Sequence, residues 1–349
     1  MVSATLHNSS GERIVTDTLA LPVLDEDLAE RLRARMGEVE QELLRHTVSD
    51  AAFITDAARH LLDAGGKRVR PLLVLLAAEA AERPATAEDE ERLLMAACVV
   101  ELTHLASLYH DDVMDEADLR RGAESANARW DNHVAILTGD FLFSKSSELT
   151  AELGPDALRI QARTFTALVE GQILETLGPR AGEDPLEHYL RVVAGKTGAL
   201  IATSARYGAR FGGVPLEVEE ALTAYGDKVG VAFQLSDDIL DVASESEESG
   251  KTPGTDLREG VPTLPVLFAQ RSADPGDARL LELLAAPLTD DADHAEALAL
   301  LRAHPAMDEA RAYVAGLAAE AKVLLKVLPD GPVREALDTF ADVIADRST

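Results

Sequence analysis

Apolar residues recur at helical spacing along almost the whole chain. In the first amphipathic segment, residues 25–46, they stand at Leu28, Leu32, Met36, Val39 and Leu43. Spacings of three and four residues place such positions on one face of a helix. No stretch alternates apolar and polar positions with the period of two that a half-buried strand requires. The pattern therefore predicts an all-α protein.

The same period predicts the rest of the chain. Helices are expected over residues 50–62, 69–81, 93–108, 125–153, 156–177, 185–211 and 216–242, with three or four more after residue 265. A polar loop is expected at 82–89. Residues 1–24 lack the helical period and are expected to form a flexible arm. Because no linker divides the remainder, we expect one domain over residues 25–349.

Carboxylates are concentrated at the ends of two apolar helices. Asp111 and Asp115 stand one helical turn apart after the run 93–108, with Asp112 beside them. Like charges this close destabilise a helix by roughly 0.2–0.5 kcal/mol per pair. Carboxylate oxygens suit Mg²⁺, which takes one or two of them and completes its shell with water and phosphate oxygens. For one motif alone, a solvated acidic helix end is the alternative.

The acidic spacing returns after the apolar run 229–235, at Asp237, Asp238 and Asp241. Basic segments lie before and between the two motifs, at Lys67, Arg68, Arg70, Arg120, Arg121 and Lys196. The first three residues of this set follow two glycines at the start of a predicted helix, so we expect them at its positive end, where anions bind. A solubilising basic turn is the alternative there. Together the segments indicate a site for a diphosphate bridged by Mg²⁺.

These segments resemble those of the trans-isoprenyl diphosphate synthases, the polyprenyl synthetase family. The matching stretches are GGKRVRP at 65–71, HDDVMDEADLRRG at 110–122, GKTGAL at 195–200, FQLSDDILD at 233–241 and GKTPGTDLREG at 250–260. They occur in the family's order, and the bacterial long-chain members are the most similar. The resemblance implies the isoprenoid synthase fold, a single large helical bundle around a central cavity, and a homodimer.

The resemblance also implies roles for individual residues. The catalytic residues would be Asp111, Asp112, Asp115, Asp237, Asp238, Asp241 and Lys196, with Asp111, Asp115 and Asp237 as ligands of a group of Mg²⁺ ions (three by the resemblance), for which Mn²⁺ substitutes. The allylic diphosphate would contact Arg120, Lys196, Thr197, Gln234 and Lys251. Isopentenyl diphosphate would be held without metal by Lys67, Arg70, His104 and Arg121.

Glycines mark two irregular segments near these residues. Gly195 and Gly198 flank Lys196 and Thr197, which predicts a break within the helix 185–211. Residues 243–262 are expected to form a mobile flap that carries Lys251. The family commonly has lysine where this chain has Val261, so Lys251 is expected to take over part of that role.

Charge and cysteine content limit the partners and the compartment. The formal net charge of −29 argues against nucleic acid and anionic membranes, which would repel the chain. A single cysteine, Cys98, excludes a disulfide within the chain and fits a reducing cytoplasm, with Cys98 as a small core residue. No run approaches the ~20 apolar residues of a membrane-spanning helix. No signal peptide is recognisable, so we expect a cytoplasmic enzyme without an integral membrane segment.

The family resemblance leaves the product open. Ala106 and Ser107, five and four residues before Asp111, are small where bulky aromatic residues give short products in the family. We therefore expect a long-chain all-trans polyprenyl diphosphate, with geranylgeranyl or farnesyl diphosphate as the alternative, since Gly171-Gln172 differs from the family's long-chain pattern. A class I terpene cyclase and a non-catalytic partner subunit are further alternatives; each typically lacks one or both acidic motifs.

Overall fold

The computed structural model describes residues 23–244 and 253–346, together with the backbone of two short strands near the N terminus. These strands, Leu6–His7 (β1) and Arg13–Ile14 (β2), pair antiparallel. Most of the predicted N-terminal arm lies outside the described residues. The same holds for residues 245–252 of the predicted flap, including Lys251.

Helices make up nearly all of the described chain. They are Glu26–His46 (α1), Ala52–Asp63 (α2), Val69–Ala78 (α3), Ala87–Met114 (α4), Ala126–Arg129 (α5), Asn132–Leu153 (α6), Pro155–Leu177 (α7), Pro185–Val193 (α8), Ala199–Gly212 (α9), Leu216–Ala243 (α10), Thr255–Glu259 (α11), Leu264–Ala269 (α12), Ala278–Leu283 (α13), Asp291–Ala303 (α14), Ala306–Leu324 (α15) and Pro332–Asp346 (α16). A π-helical turn, Ala194–Gly198, joins α8 to α9, and a hairpin of Leu119–Arg120 (β3) and Ala123–Glu124 (β4) follows α4. The predicted all-α class is confirmed.

Several predicted boundaries were wrong. The two hairpins were not expected, because strands of two residues are too short to show a period. Five α-helices, α12 to α16, lie after residue 263, where three or four had been predicted after residue 265. Helix α4 begins inside the predicted polar loop, because Thr86 and Asp89 form a capping box in which each side chain accepts from the other's backbone N–H.

The chain divides into two compact units, each assembled from separate stretches of sequence. The first comprises Met1–Phe165, Leu200–Thr223 and Val327–Leu337, and the second comprises Thr166–Ala199, Ala224–Lys326 and Asp338–Thr349. That residues 25–349 form one domain stays a prediction.

Helix α4 is the central element of the first unit. It packs against α1, α3 and α6. Its length and a mean hydropathy of 1.4 over its most apolar stretch would suffice to cross a membrane, and it is the one described helix of which this is true. However, 67% of that stretch is buried inside the protein, as expected of the core helix of a globular unit. The first acidic motif therefore lies at the end of a rigidly packed helix.

In the second unit, α10 carries the buried residues Tyr225, Val229, Leu235, Ile239 and Val242. Their spacings of three to six residues keep them on one side of the helix, so its last turns are held in the core. Helices α12 and α15 also pack against each other in this unit. The second acidic motif thus also projects from a well-packed helix.

Candidate active site

The three aspartates at the end of α4 occupy different environments. Asp111 is half-buried, and Asp115 is exposed as the C-cap residue. Asp112 is 0% exposed, and one of its oxygens accepts a hydrogen bond from Arg120 Nε at 2.6 Å. Its other oxygen, Oδ2, is buried without a hydrogen-bond partner among the described residues. Burial raises the pKa of Asp112, and Arg120 opposes that rise. Asp112 therefore orients Arg120.

The hairpin of β3 and β4 carries Arg120 and Arg121 back over the first unit. Arg121 has a left-handed backbone, with φ of +55°, at the turn. His60 Nε2 lies 2.6 Å from the carbonyl oxygen of Glu124, while Arg129 Nη1 lies 3.0 Å from His60 Nδ1. Since the guanidinium can only donate, Nδ1 accepts and Nε2 donates. His60 thus anchors the hairpin to α2.

Arg121 is a half-buried cation whose hydrogen-bond partners among the described residues are backbone oxygens. Its Nη1 donates to Leu61 O at 2.9 Å and to Gly65 O. Within the described part of the chain, no carboxylate lies within salt-bridge distance of it. Burial lowers the pKa of Arg121, Arg68 and Arg120 lower it further, and Glu101 opposes both effects. A half-buried guanidinium with unused donors is suited to binding an anion.

Gly66 allows this close approach. A Cβ at Gly66 would lie 2.8 Å from Arg121 Nη1 and 2.9 Å from Arg68 Nη1. Its φ of +148° is also a conformation that residues with side chains rarely adopt. The glycine pair before α3, predicted as a helix end, therefore also makes room for two guanidinium groups.

The residues predicted to bind isopentenyl diphosphate all belong to the first unit. Burial lowers the pKa of His104 well below its usual value, and Arg70, Arg121, Arg68 and Arg120 lower it further. His104, Arg70 and Arg121 therefore share one electrostatic environment, in which the positive charges disfavour a protonated imidazole. Lys67 is exposed.

The expectation that Arg68 joins this anion site was wrong. Arg68 is 4% exposed and forms ion pairs with Glu40 at 2.6 Å and Glu101 at 3.0 Å. Its left-handed backbone, with φ of +48°, turns the side chain inward at the N-cap of α3. Lys67 and Arg70 stay the predicted diphosphate-binding residues of this segment.

The second acidic motif repeats the arrangement of the first. Asp238 is buried, accepts from Gln234 Nε2 at 2.9 Å and accepts a further hydrogen bond from the Tyr189 hydroxyl. Burial raises the pKa of Asp238 to about 6. Thr197 Oγ1 in turn donates to Gln234 Oε1 at 2.9 Å. This series of hydrogen bonds runs from Thr197 through Gln234 to Asp238. It connects Thr197 and Gln234, the two residues predicted to bind the allylic diphosphate.

Asp237 and Asp241 are half-buried on the other side of this helix end. The backbone N–H groups of Thr255 and Asp256 lie 3.4 and 3.3 Å from the Asp241 carboxylate oxygens. Gly254 N also donates to Asp241 O at 2.9 Å. Asp241 therefore attaches the described end of the predicted flap to α10, a contact that the sequence did not indicate.

The predicted helix break around Lys196 is present as the π-helical turn. Gly171 on α7 allows it to pack closely, because a Cβ there would lie 2.6 Å from Lys196 N. Gly195 is equally tight, 2.8 Å from Ala167 O. Lys196 Nζ donates to Glu175 Oε2 at 2.6 Å. Lys196 and Thr197 are adjacent in sequence, but in the π turn their side chains bind different residues, Glu175 and Gln234.

Ala106 and Ser107, predicted to set product length, lie in the first unit. Ala106 is fully buried, and Ser107 Oγ donates to His104 O at 2.8 Å. One turn earlier, Thr103 Oγ1 lies 2.8 Å from Ser146 Oγ on α6 and accepts from Gln161 Nε2 on α7 at 2.7 Å. This buried polar cluster joins three helices. It was not visible in the sequence, where Thr103 was only a residue of modest size.

Sequence reasoning also missed Tyr189, Glu40 and Glu101. Tyr189 lies 49 residues from Asp238, and Glu101 lies 33 residues from Arg68. No spacing rule connects such pairs. Glu101 alone left a signal, as a charged residue within the apolar period of α4, a position that requires a buried partner.

Comparison with known proteins agrees with this geometry. The chain matches the polyprenyl synthetase family over residues 51–301. Nonaprenyl diphosphate synthase of Mycobacterium tuberculosis is 49% identical over 323 residues, 93% of this chain and 95% of that protein. The structure of geranylgeranyl pyrophosphate synthase from Corynebacterium glutamicum, complexed with calcium and isoprenyl diphosphate, has a TM-score of 0.83 and 45% identity, covering 93% of this chain and 98% of that one. A decaprenyl diphosphate synthase from Rhodobacter capsulatus has a TM-score of 0.82 and 35% identity, covering 93% and 99%.

The fold is therefore that of the helical isoprenoid synthases. The matched residues include both acidic motifs and the arginines of the hairpin, and they span most of the chain. The chain belongs to the polyprenyl synthetase family, as its motifs had indicated.

The environment of His104 predicts an acid-sensitive stability. Its pKa is depressed in the folded state, so the unfolded chain takes up a proton first as the pH falls below about 6.5. His104 then contributes a loss of stability of up to about 1.4 kcal/mol per pH unit. Thermal unfolding between pH 7.5 and 5 should show a smaller loss for His104→Gln than for the wild type. His133→Gln, at a 94% exposed side chain, is the matched control and should follow the wild type. Equal slopes for all three proteins would contradict a depressed pKa.

Proposed function

We propose that the protein condenses isopentenyl diphosphate with an allylic diphosphate and repeats the reaction to make a long-chain all-trans polyprenyl diphosphate. The observation that carries the proposal is the half-buried guanidinium of Arg121, whose hydrogen-bond partners among the described residues are backbone oxygens and no carboxylate, so that it can hold an anion without a metal. The similarity to a nonaprenyl and a decaprenyl diphosphate synthase supports a long product.

The acidic motifs fit a divalent metal. Asp111 and Asp115 offer hard oxygen ligands one turn apart, and Asp237 offers another. Among the described residues, no three Asp, Glu, His or Cys side chains form a group that could hold a metal ion on its own. Each motif would therefore contribute the one or two carboxylates that Mg²⁺ usually takes. A similar protein was solved with calcium and isoprenyl diphosphate. Bound Mg²⁺, or Mn²⁺ in its place, would supply Lewis-acid stabilisation of the leaving diphosphate.

The chain's own residues would divide the work between two substrates. Arg120, held by Asp112, and Lys196 stabilise negative charge on the allylic diphosphate as its C–O bond breaks and the electrons leave with the diphosphate. Arg121, with Lys67, Arg70 and His104, holds isopentenyl diphosphate. The double bond of isopentenyl diphosphate attacks the allylic carbon, a C–C bond forms, and the proton lost in restoring a double bond goes to the released diphosphate.

The protein should require a divalent metal and both acidic motifs. Turnover of isopentenyl diphosphate with an allylic primer, measured on the purified chain alone, should vanish in excess chelator and return with Mg²⁺ or Mn²⁺. Asp111→Ala and Asp237→Ala should each lose about a hundred- to thousandfold in rate, by analogy with the loss of one transition-state donor. The exposed Asp308→Ala is the control and should retain full activity. Turnover in chelator would contradict the metal, and a purified chain without turnover would favour a non-catalytic subunit.

Product length is proposed to depend on α4. Ala106 lies about 7.5 Å before Asp111 along the helix axis, at a rise of 1.5 Å per residue. Its small side chain would let an apolar product extend past it. The polar cluster of Thr103, Ser146 and Gln161 one turn further would resist an apolar chain, since Gln161 Oε1 is buried without a partner in the described structure. That cluster favours geranylgeranyl diphosphate as the second candidate product.

Ala106→Phe should shorten the product without abolishing the first condensation, because a bulky ring would close the path beside α4. Products made with excess labelled isopentenyl diphosphate separate by chain length. Ala96→Phe, ten residues before Ala106 in the same helix, is the control that tests whether any bulky residue in α4 has this effect. This variant should still make short products. If the wild type stops at farnesyl diphosphate, the limit lies elsewhere and the long-chain proposal fails.

A homodimer is proposed from α7. Exposed apolar residues recur on this helix at Leu158, Phe165, Val169, Ile173 and Leu177. Spacings of four and seven residues form one stripe, which a second copy of the chain would cover. Sedimentation equilibrium should give twice the mass of the chain, and Ile173→Glu should shift it toward the monomer. A monomeric wild type at micromolar concentration would contradict the proposal.

The cytoplasm is the proposed location, given the single buried cysteine.

A further inference from the structure

Arg68 uses all of its hydrogen-bonding capacity inside the protein. A guanidinium has five N–H donors. In Arg68 they reach Glu40 Oε1 at 2.6 Å and Oε2 at 3.5 Å, Glu101 Oε1 at 3.0 Å, Gly65 O at 3.3 Å and Leu62 O at 3.0 Å. None is left for a substrate. The role of Arg68 must therefore be exerted through the groups that it holds.

Those groups belong to the elements that form the anion site. Glu40 lies on α1 and Glu101 lies on α4. The carbonyl group of Leu62 lies at the end of α2, and that of Gly65 lies in the loop before α3. Gly65 O accepts from Arg68 and from Arg121 together. The position of the Arg121 guanidinium thus depends on the Gly65 carbonyl, which Arg68 also binds. Lys67 and Arg70 lie on either side of Arg68 in the sequence.

The charges of this network are also matched to Arg121. Glu40 and Glu101 carry two negative charges, and Arg68 carries one positive charge, so the three leave one negative charge to offset Arg121. Burial alone would lower the pKa of Arg68, but Glu101 and Glu40 reverse the effect and raise it. Glu101 also raises the pKa of Arg121 against its burial. Because Glu101 is only 1% exposed, water does little to screen it.

We propose that Arg68, clamped between Glu40 and Glu101, is a positioning residue for the metal-free diphosphate site, where it fixes the carbonyl of Gly65 and with it the guanidinium of Arg121. Isopentenyl diphosphate is the ligand concerned, so the inference rests on the proposed function. The clamp acts on that substrate and leaves binding of the allylic diphosphate unchanged.

Arg68→Lys separates positioning from charge. Lysine keeps the positive charge but has three donors and no planar fork, so it cannot hold all of these oxygens. We expect the KM for isopentenyl diphosphate to rise about tenfold or more, the effect of losing one or two charge-assisted hydrogen bonds, while the KM for the allylic primer stays within about twofold. Glu101→Gln gives a second test. Removal of a negative charge would strengthen anion binding through the field alone, whereas loss of the clamp weakens it.

Matched controls are available at the other end of α3. Arg35 and Glu79 form a similar part-buried ion pair between α1 and the end of α3, at 2.6 Å. Arg35→Lys and Glu79→Gln should change thermal stability as much as the test variants but leave both KM values unchanged. Calorimetric binding of inorganic diphosphate in chelator measures the metal-free site without turnover, and Arg68→Lys should weaken it about tenfold.

The outcomes separate the inference from the proposed function. If the wild type makes no prenyl diphosphate, the function fails, and the calorimetric comparison still tests the clamp. If the wild type turns over but Arg68→Lys leaves the KM for isopentenyl diphosphate within twofold, or raises both KM values equally, the positioning role is refuted. Tighter diphosphate binding by Glu101→Gln would refute it as well. If Arg68→Lys does not fold, Glu101→Gln, which preserves the side-chain shape, decides.

Discussion

A charged side chain that leaves water loses several kcal/mol of solvation, and it stays ionised only if opposite charges and hydrogen bonds replace the water. This constraint separates the functional groups of the protein into two sets. Arg68, Asp112 and Asp238 are buried and have partners inside the chain. Arg121 is half-buried, with carbonyl oxygens as its hydrogen-bond partners and a matched negative charge at longer range. The first set builds the site, and Arg121 is available to a ligand.

The two acidic motifs follow this division in the same way. In each, the second aspartate is rotated about 100° from the first around the helix and points into its own unit, where a side chain binds it. Arg120 binds Asp112, and Tyr189 with Gln234 binds Asp238. The first and last aspartates of each motif lie about 60° to 100° away from the second around the helix axis. In each motif one carboxylate is thus bound inside its own unit, while Asp111, Asp115 and Asp237 stay the proposed metal ligands.

Close backbone packing positions the remaining groups. Gly171 and Gly195 lie where a Cβ would collide with the backbone of the neighbouring segment, so α7 contacts the π turn directly. The π turn sends Thr197 toward Gln234 and Lys196 toward Glu175. Larger residues at either glycine would separate these segments and move both side chains. The same reasoning applies to Gly66, which admits two guanidinium groups at once.

The sequence by itself determined what depends on spacing. The period of apolar residues predicted the helices, and the glycines around Lys196 predicted the break. The order of the motifs identified the family. Tertiary structure decided which charges are buried, because Arg68 and Arg121 look alike in sequence and only distant residues distinguish them. Glu40 and Glu101 saturate Arg68, whereas Leu61 and Gly65 leave donors of Arg121 unused. Those contacts join residues 28 to 60 positions apart, where local propensity carries no information.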